Sequence, residues 1–412
     1  MSEVSIEQAR AWDAADPLRG FRERFELPLG VIYLDGNSLG ALPRATGQRV
    51  VSVISSEWGE RLIRGWNDAG WINAPSRVGG KIARLIGAAA DEVIVADSTS
   101  VNLFKLLASA VRARPGRRVI LTEVGNFPTD LYIAQGIAAY VEGVEVHALP
   151  REAVSGAINQ DVAVVMLTHV HYKSAARWDM AEVTAQAHAA GALALWDLSH
   201  SAGAIEVDLR GCEADLAAGC GYKYLNGGPG APAYMFVAER LQRDLRSPLS
   251  GWMGHAAAFD FTDDYQPAGG IERFLCGTPP ILGIAALEVG VDLALEADIR
   301  AAAEKSARLW DLFASQVDAR LQGFGFELIS PRDALARGSH ISYAHPEGYR
   351  IMQALIARGV IGDFRDPDVL RFGLTPLYLG FEDVWRAVDI LDDVVRDGAW
   401  RDEPGRMAGR VT

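Results

Sequence analysis

The chain has 412 residues, 49% hydrophobic and 23% charged, with a formal net charge of -13. That length suits roughly two to three domains, and the acidic balance argues against a nucleic-acid surface, which needs clustered Lys and Arg. Cys212, Cys220 and Cys276 show neither metal-ligand spacing nor a disulfide framework, which fits a reducing cytoplasm. Residues 1–20 mix Glu, Arg and Asp without the apolar core of a signal peptide. The longest apolar run, residues 162–167, is too short to span a bilayer.

Residues 44–63 repeat apolar side chains with helical period. Residues 91–96 read as a strand, and 99–114 as a helix with Ser98 or Thr99 as N-cap. Residues 118–123 are strand-like and 127–140 helical. Residues 144–149, 162–167 and 192–196 are short apolar strands, with an alanine-rich helix over 180–190. A strand-like run over 215–221 and another over 231–237 follow. This alternation predicts βαβ units and a mostly parallel sheet. After about residue 280 the texture changes. Long helices are expected over 282–297 and 299–321, short strands over 340–343 and 369–373, and an amphipathic helix over 381–395. We read this as a smaller α/β domain joined by the N-terminal segment. The expected division is a large domain over 45–285 and a small one over 1–44 plus 286–412.

Ligands of open α/β sheets gather beyond the carboxyl ends of the strands. Three candidate groups lie at such ends. Thr99 and Ser100 open a helix, where hydroxyls and backbone N–H groups suit a phosphate dianion, although simple capping is the plainer reading of these residues taken alone. Asp197 ends an apolar strand, where a carboxylate is costly unless paired; taken alone, an exposed turn explains it equally well. Lys223, between two tyrosines after a strand-like run, suits a nucleophilic amine better than a solvated charge. Together, Asp197, His200 and Lys223 suggest a pyridoxal phosphate site. Lys223 would carry the Schiff base and Asp197 would keep the pyridine nitrogen protonated. Tyr222 could bind phosphate or relay a proton, or be a core tyrosine. Arg371 lies in an apolar strand and needs an anion, either a substrate carboxylate held bidentately or an internal acid. The three cysteines read as structural small hydrophobes.

The motifs Tyr33-Leu34-Asp35-Gly36-Asn37-Ser38-Leu39-Gly40, Ser98-Thr99-Ser100-Val101-Asn102-Leu103 and Asn126-Phe127-Pro128-Thr129-Asp130 carry a resemblance that runs nearly end to end. So do Trp196-Asp197-Leu198-Ser199-His200-Ser201-Ala202-Gly203, the segment around Lys223, Gly251-Trp252-Met253-Gly254-His255 and Cys276-Gly277-Thr278-Pro279-Pro280. The chain resembles kynureninases, fold-type I pyridoxal phosphate enzymes related to class V aminotransferases. The resemblance implies a mostly parallel seven-stranded sheet flanked by helices, with a smaller α/β domain. It also implies hydrolysis of L-kynurenine, with 3-hydroxykynurenine as a second substrate, to anthranilate or 3-hydroxyanthranilate and L-alanine.

By that resemblance Lys223, Tyr222 and Asp197 are catalytic. Thr99, Ser100, Phe127, Pro128, Thr129, Asp130, Thr168, His200, Trp252 and Thr278 join them around the cofactor. Phe127 would stack on its ring. Arg371, Trp66 and Asn37 would bind substrate. Trp252 and Thr278 look like residues that a neighbouring subunit contributes, which implies a homodimer. Met253 stands where the family has phenylalanine, a tolerable apolar swap. Trp66 and Thr278 resemble the bacterial form, which favours kynurenine. The competing expectation is another class V activity, a cysteine desulfurase or an aminotransferase.

Overall fold

The computed structural model describes residues 4–403. Its centre is a seven-stranded sheet. In spatial order the strands are Val93–Val95, Tyr234–Val237, Leu216–Gly219, Leu193–Asp197, Val162–Thr168, Val119–Glu123 and Glu145–Leu149. All neighbours are parallel except Tyr234–Val237, which is antiparallel to both strands beside it. Six of the strands are buried throughout, because helices cover both faces; Glu145–Leu149 is the partly exposed edge.

Alternate residues of each strand feed different cores. Leu121, Val165, Leu167, Ala194, Trp196 and Phe236 pack on one face. Ile120, Val164, Met166, Leu195, Ala218 and Met235 pack on the other. The doubly apolar runs in the sequence therefore encode a sheet covered on both sides.

A third core mixes both ends of the chain. Ala9, Phe25 and Leu34 pack with Phe313, Ile341, Phe372, Val388 and Leu391. Here an antiparallel sheet orders Glu327–Leu328, His340–Ala344, Val369–Gly373 and Asp363–Arg365. Val360–Ile361 pairs in parallel with Ile32–Tyr33. Residues 1–3 and 404–412 of the expected small domain lie outside the described residues.

The expected helices appear as Thr99–Arg112, Pro128–Tyr140, Met180–Ala189, Ile281–Glu296, Ile299–Arg320 and Phe381–Asp397. The helix expected over 44–63 differs: Arg44–Ser52 is α-helical, and Val53–Glu60 continues with the wider π winding.

Two glycines let other segments close on the loop after Leu216–Gly219. A Cβ on Gly40 would stand 2.3 Å from the Lys223 carbonyl oxygen, and one on Gly290 would stand 2.0 Å from that of Leu225. Gly40 N–H also donates to the Tyr222 carbonyl at 2.8 Å. The N-terminal segment and the helix Ile281–Glu296 thus both press on the lysine loop.

Candidate active site

Parallel register assembles the polar residues. Thr168 pairs with Asp197 at the carboxyl ends of adjacent strands, and Ala218 pairs with Asp197 from the other side. The strand bearing Ala218 then leads into the loop that carries Lys223. Asp197 is 3% exposed and Lys223 8%. Lys223 Nζ lies 2.9 Å from His200 Nε2. It also lies 5.7 Å from the centre of the Phe127 ring and 5.8 Å from that of Tyr222. The structure therefore brings together Lys223, His200, Tyr222 and Phe127, as the sequence suggested.

The acids sit deeper. Asp197 Oδ1 accepts from the Ser199 N–H at 2.8 Å. The Thr168 hydroxyl donates to the Asn126 amide oxygen and lies 3.0 Å from Asp130 Oδ2. The other Asp130 oxygen, Oδ1, has no hydrogen-bond partner among the described residues. Burial, then the charge of Asp197, pushes the Asp130 carboxyl well above the usual range. Burial also raises Asp197, against the opposing pull of Ser199 and Lys223. Two neighbouring buried acids with shifted affinities call for a further cation or hydrogen-bond donor.

His200 is the opposite case. Burial and the nearby Lys223 hold its imidazole well below its usual range, so it is neutral. Burial, then Cys220 and Asp197, raises the Tyr222 phenol, which stays protonated.

Thr99 and Ser100 occupy the first turn of Thr99–Arg112, and the Ser98 hydroxyl caps it by accepting from Val101 N–H. In front of this N-terminus is a cavity of about 240 Å³ lined by Ser98, Thr99, Cys220, Tyr222 and Gly230. Asp97 borders it too, but its charge is offset by Lys105, which is wholly buried and ion-paired to it. An anion entering the cavity thus meets oriented N–H groups instead of a bare carboxylate.

Pro128 and Thr129 form the start of the helix Pro128–Tyr140 that carries Asp130 inward, and the Asn126 side chain accepts from Phe127 N–H at 2.7 Å. Sequence reasoning gave Asn126 no role, although it stands inside the Asn-Phe-Pro-Thr-Asp motif. The structure shows it fixing both Phe127 and Thr168.

Arg371 has found an internal acid. Its Nε donates to Asp363 Oδ1 at 2.8 Å and its Nη2 to Asp363 Oδ2; Nη1 donates to the Tyr172 carbonyl at 2.6 Å and Nη2 to Ser38 Oγ at 2.8 Å. A guanidinium has five N–H donors. One Nη1 proton remains, so the expected bidentate grip on a substrate carboxylate is not open in this arrangement. Arg365 shares Asp363 at 2.7 Å. Burial opposes ionisation of Asp363, but Arg371 and Arg365 outweigh it and hold the carboxyl at about 2. Nearby Asp35 goes the other way, to about 7, through burial and the charge of Asp363. Asn37 is fully buried, and neither its amide oxygen nor its nitrogen has a partner among the described residues. Asp363, Ser38 and Asp35 were missed as members of this cluster; the buried arginine was the only signal, and it does not say which acid answers it.

Trp66 and Trp252 meet edge to face, with ring centres 6.3 Å apart. Thr278 is exposed, two residues after Cys276, whose carbonyl accepts from Met253 N–H at 3.3 Å. No hydrogen bond or ring contact joins Trp66, Trp252 or Thr278 to Lys223, Asp197 or Phe127 among the described residues. The chain thus carries two clusters, one around Lys223 and one around Trp252.

These residues fit pyridoxal phosphate on three observations. The helix N-terminus and its cavity suit the phosphate. The buried Asp197 and Asp130 suit a protonated ring nitrogen. Lys223 is close enough to His200 and Phe127 to share one bound ring with them.

Comparison with known proteins points the same way. Residues 302–391 match the family described as the kynureninase C-terminal domain. A kynureninase of Burkholderia mallei (strain SAVP1) is 52% identical over 401 residues, 96% of each chain. One of Pseudomonas fluorescens is 50% identical over 408 residues, 98% of each. Among solved structures, a cysteine desulfurase of Thermococcus onnurineus NA1 superimposes with a TM-score of 0.79 at 18% identity, covering 92% of this chain and 98% of that one. The desulfurase CsdA of Escherichia coli gives 0.76 at 19%, covering 92% and 98%. These last two likenesses speak for the fold.

Proposed function

The chain belongs to the kynureninase family, and on that premise we propose that it hydrolyses L-kynurenine to anthranilate and L-alanine with pyridoxal phosphate. The observation that carries this reading is the buried Lys223, 2.9 Å from His200, beside the register-paired Thr168 and Asp197.

When bound, pyridoxal phosphate supplies the electron sink that makes the substrate Cα–H acidic and the Cβ–Cγ bond cleavable. The protein's residues hold it and move protons. Thr99, Ser100 and Tyr222 would hold the phosphate, Phe127, Pro128 and Thr129 would contact the ring, and Asp197 would pair with the ring nitrogen. Asp130 and Thr168, which are hydrogen-bonded to each other, would lie close to the cofactor beside Asp197. Lys223 holds the cofactor, then serves as base at the substrate Cα. Tyr222, kept protonated, is placed to return a proton to Cβ after cleavage. Asn37 and the remaining N–H of Arg371 receive the α-carboxylate, with Asp363 fixing the guanidinium in place.

The large unit spans 45–285, and 1–44 with 286–412 forms the small one; the mixed terminal core supports that division. The protein acts as a homodimer. Val51, Ile54, Trp58, Leu62 and Ile63 leave an apolar run exposed, which supports docking of a second copy. Trp252 and Thr278 then reach the partner's site, and Trp66 goes with Trp252. The aryl ring of the substrate lies against these tryptophans, and Thr278 favours kynurenine over its 3-hydroxy form. The reaction is placed in the cytoplasm, in tryptophan catabolism with an outlet to NAD biosynthesis. No helix among the described residues is long and apolar enough to cross a membrane.

Desulfurase activity finds little support. Burial raises the Cys220 and Cys212 thiols, and Cys276 Sγ faces the Asp97 carboxylate at 3.8 Å. Incubating the pure protein with pyridoxal phosphate and L-kynurenine tests the proposal. Equal amounts of fluorescent anthranilate and alanine are expected; sulfide from cysteine, with no anthranilate, would overturn it.

A further inference from the structure

His340 is the first residue of the strand His340–Ala344, paired with Gly373 on Val369–Gly373. It is fully buried, and neither ring nitrogen has a hydrogen-bond partner among the described residues. An imidazole always carries at least one N–H, and leaving such a group unmet in the interior is destabilising. The ring centre lies 5.4 Å from that of His200 at an interplanar angle of 54°. His200 has its own unmet nitrogen: Nε2 faces Lys223 at 2.9 Å, but Nδ1 has no partner among the described residues.

These two deficits answer each other. A neutral imidazole has one donor and one acceptor nitrogen. If Lys223 Nζ donates to His200 Nε2, the proton of His200 resides on Nδ1 and needs an acceptor. We propose that His340 is a positioning residue, which holds His200 in the Nδ1-protonated tautomer through one ordered water and so keeps Nε2 turned to Lys223. A buried water commonly joins polar groups in this way. The charged and titratable groups around His340 come from both units: Arg371 and Asp363 from its own sheet, and Lys223, His200 and His171 from the other side. Burial, then Arg371, holds His340 well below its usual range, so the pair is neutral and neither ring repels the other. Because the strand bearing His340 also pairs with the strand bearing Arg371, the contact ties the small sheet to the orientation of the reacting lysine. This inference rests on the roles proposed above for Lys223 and His200.

Two variants test it, His340→Leu and His340→Gln, the second retaining a donor and an acceptor. The first readout is the ¹⁵N spectrum of the histidine rings in cofactor-free protein, with His200 identified by the signals lost in His200→Gln. The wild type should show the Nδ1-protonated tautomer at His200, and His340→Leu a shifted or mixed one. The second readout is kinetic. One lost buried hydrogen bond corresponds to about tenfold in rate, so kcat for kynurenine should fall about tenfold in His340→Leu with KM nearly unchanged. His340→Gln should recover most of it. A His340→Leu protein with wild-type Tm, unaltered His200 signals and unaltered kcat would overturn the proposal. If His340→Leu does not fold, His340→Ala takes its place: shifted or mixed His200 signals support the assignment, and unaltered ones refute it. Wild-type protein that releases no anthranilate would instead refute the reading of Lys223, while the ring spectra still judge His340.

Discussion

Arg371 shows how a single residue can be readable in kind and unreadable in detail. A guanidinium inside the run Val369–Gly373 announces a buried anion, and that much follows from the sequence. Its partner, Asp363, lies on the neighbouring antiparallel strand, directly opposite in register. Nothing in the spacing distinguishes that acid from a substrate carboxylate, because the pairing exists only once the sheet forms. The same holds for His340, which reads as an ordinary strand residue until burial leaves its ring nitrogens without a hydrogen-bond partner among the described residues. Lys223 and Asp197 were legible because each follows an apolar run, where a charge needs a reason. Asp363 does more than neutralise: with Ser38 it fixes the plane of Arg371. Removing one member of a buried ion pair leaves the other uncompensated, at a cost of about 3 kcal/mol. Asp363→Ala should therefore lower the unfolding free energy by about that amount in urea titrations. It should also raise KM for kynurenine more than it lowers kcat, because the α-carboxylate site loses its aligned cation. Wild-type stability in that variant would show that Arg371 is not held by Asp363.

At the level of elements, hydrophobic period placed most strands and helices, since a strand covered on both faces must be apolar throughout. Two features escaped it. The direction of Tyr234–Val237 follows from how its neighbours are connected. The π winding of Val53–Glu60 has more residues per turn than an α-helix, but over 8 residues the difference in period is too small to read. Contacts between helices were equally hidden. Glu288 on Ile281–Glu296 receives Arg77 bidentately at 2.9 and 3.0 Å and Lys81 at 2.9 Å, clamping that helix to Ala74–Leu85. Burial opposes its ionisation, but these cations outweigh it and bring the carboxyl from 4.5 to about 2. A depressed carboxyl contributes stability that is fully present above the unfolded value and fades as pH falls through the folded one. Glu288→Gln should accordingly show its largest Tm deficit above about pH 5, shrinking as pH falls toward 2. A deficit independent of pH would mean that packing, not charge, is what the substitution disturbs.

At the level of the whole molecule, the two chain ends fold into one core and press the N-terminal segment against the lysine loop through Gly40. The α/β class and the mostly parallel central sheet were legible, while the convergence of N-terminal and C-terminal segments on the site was not. The Lys223 cluster and the Trp66–Trp252 cluster stand apart within one chain, and a symmetric dimer is the simplest way to unite them. On the proposed function, kynurenine is cleaved at Lys223 of one chain beneath Trp252 of another. Co-expression of Lys223→Ala with Trp252→Ala, each carrying its own tag, tests both halves together. Each variant alone should be nearly inactive. Random pairing gives half heterodimers with one intact site in two, so the mixture should regain roughly a quarter of wild-type anthranilate release. A mixture no more active than its folded, dimeric parents would rule out a site shared between two chains, and a Lys223→Ala protein that cleaves kynurenine unaided would rule out Lys223 as its base.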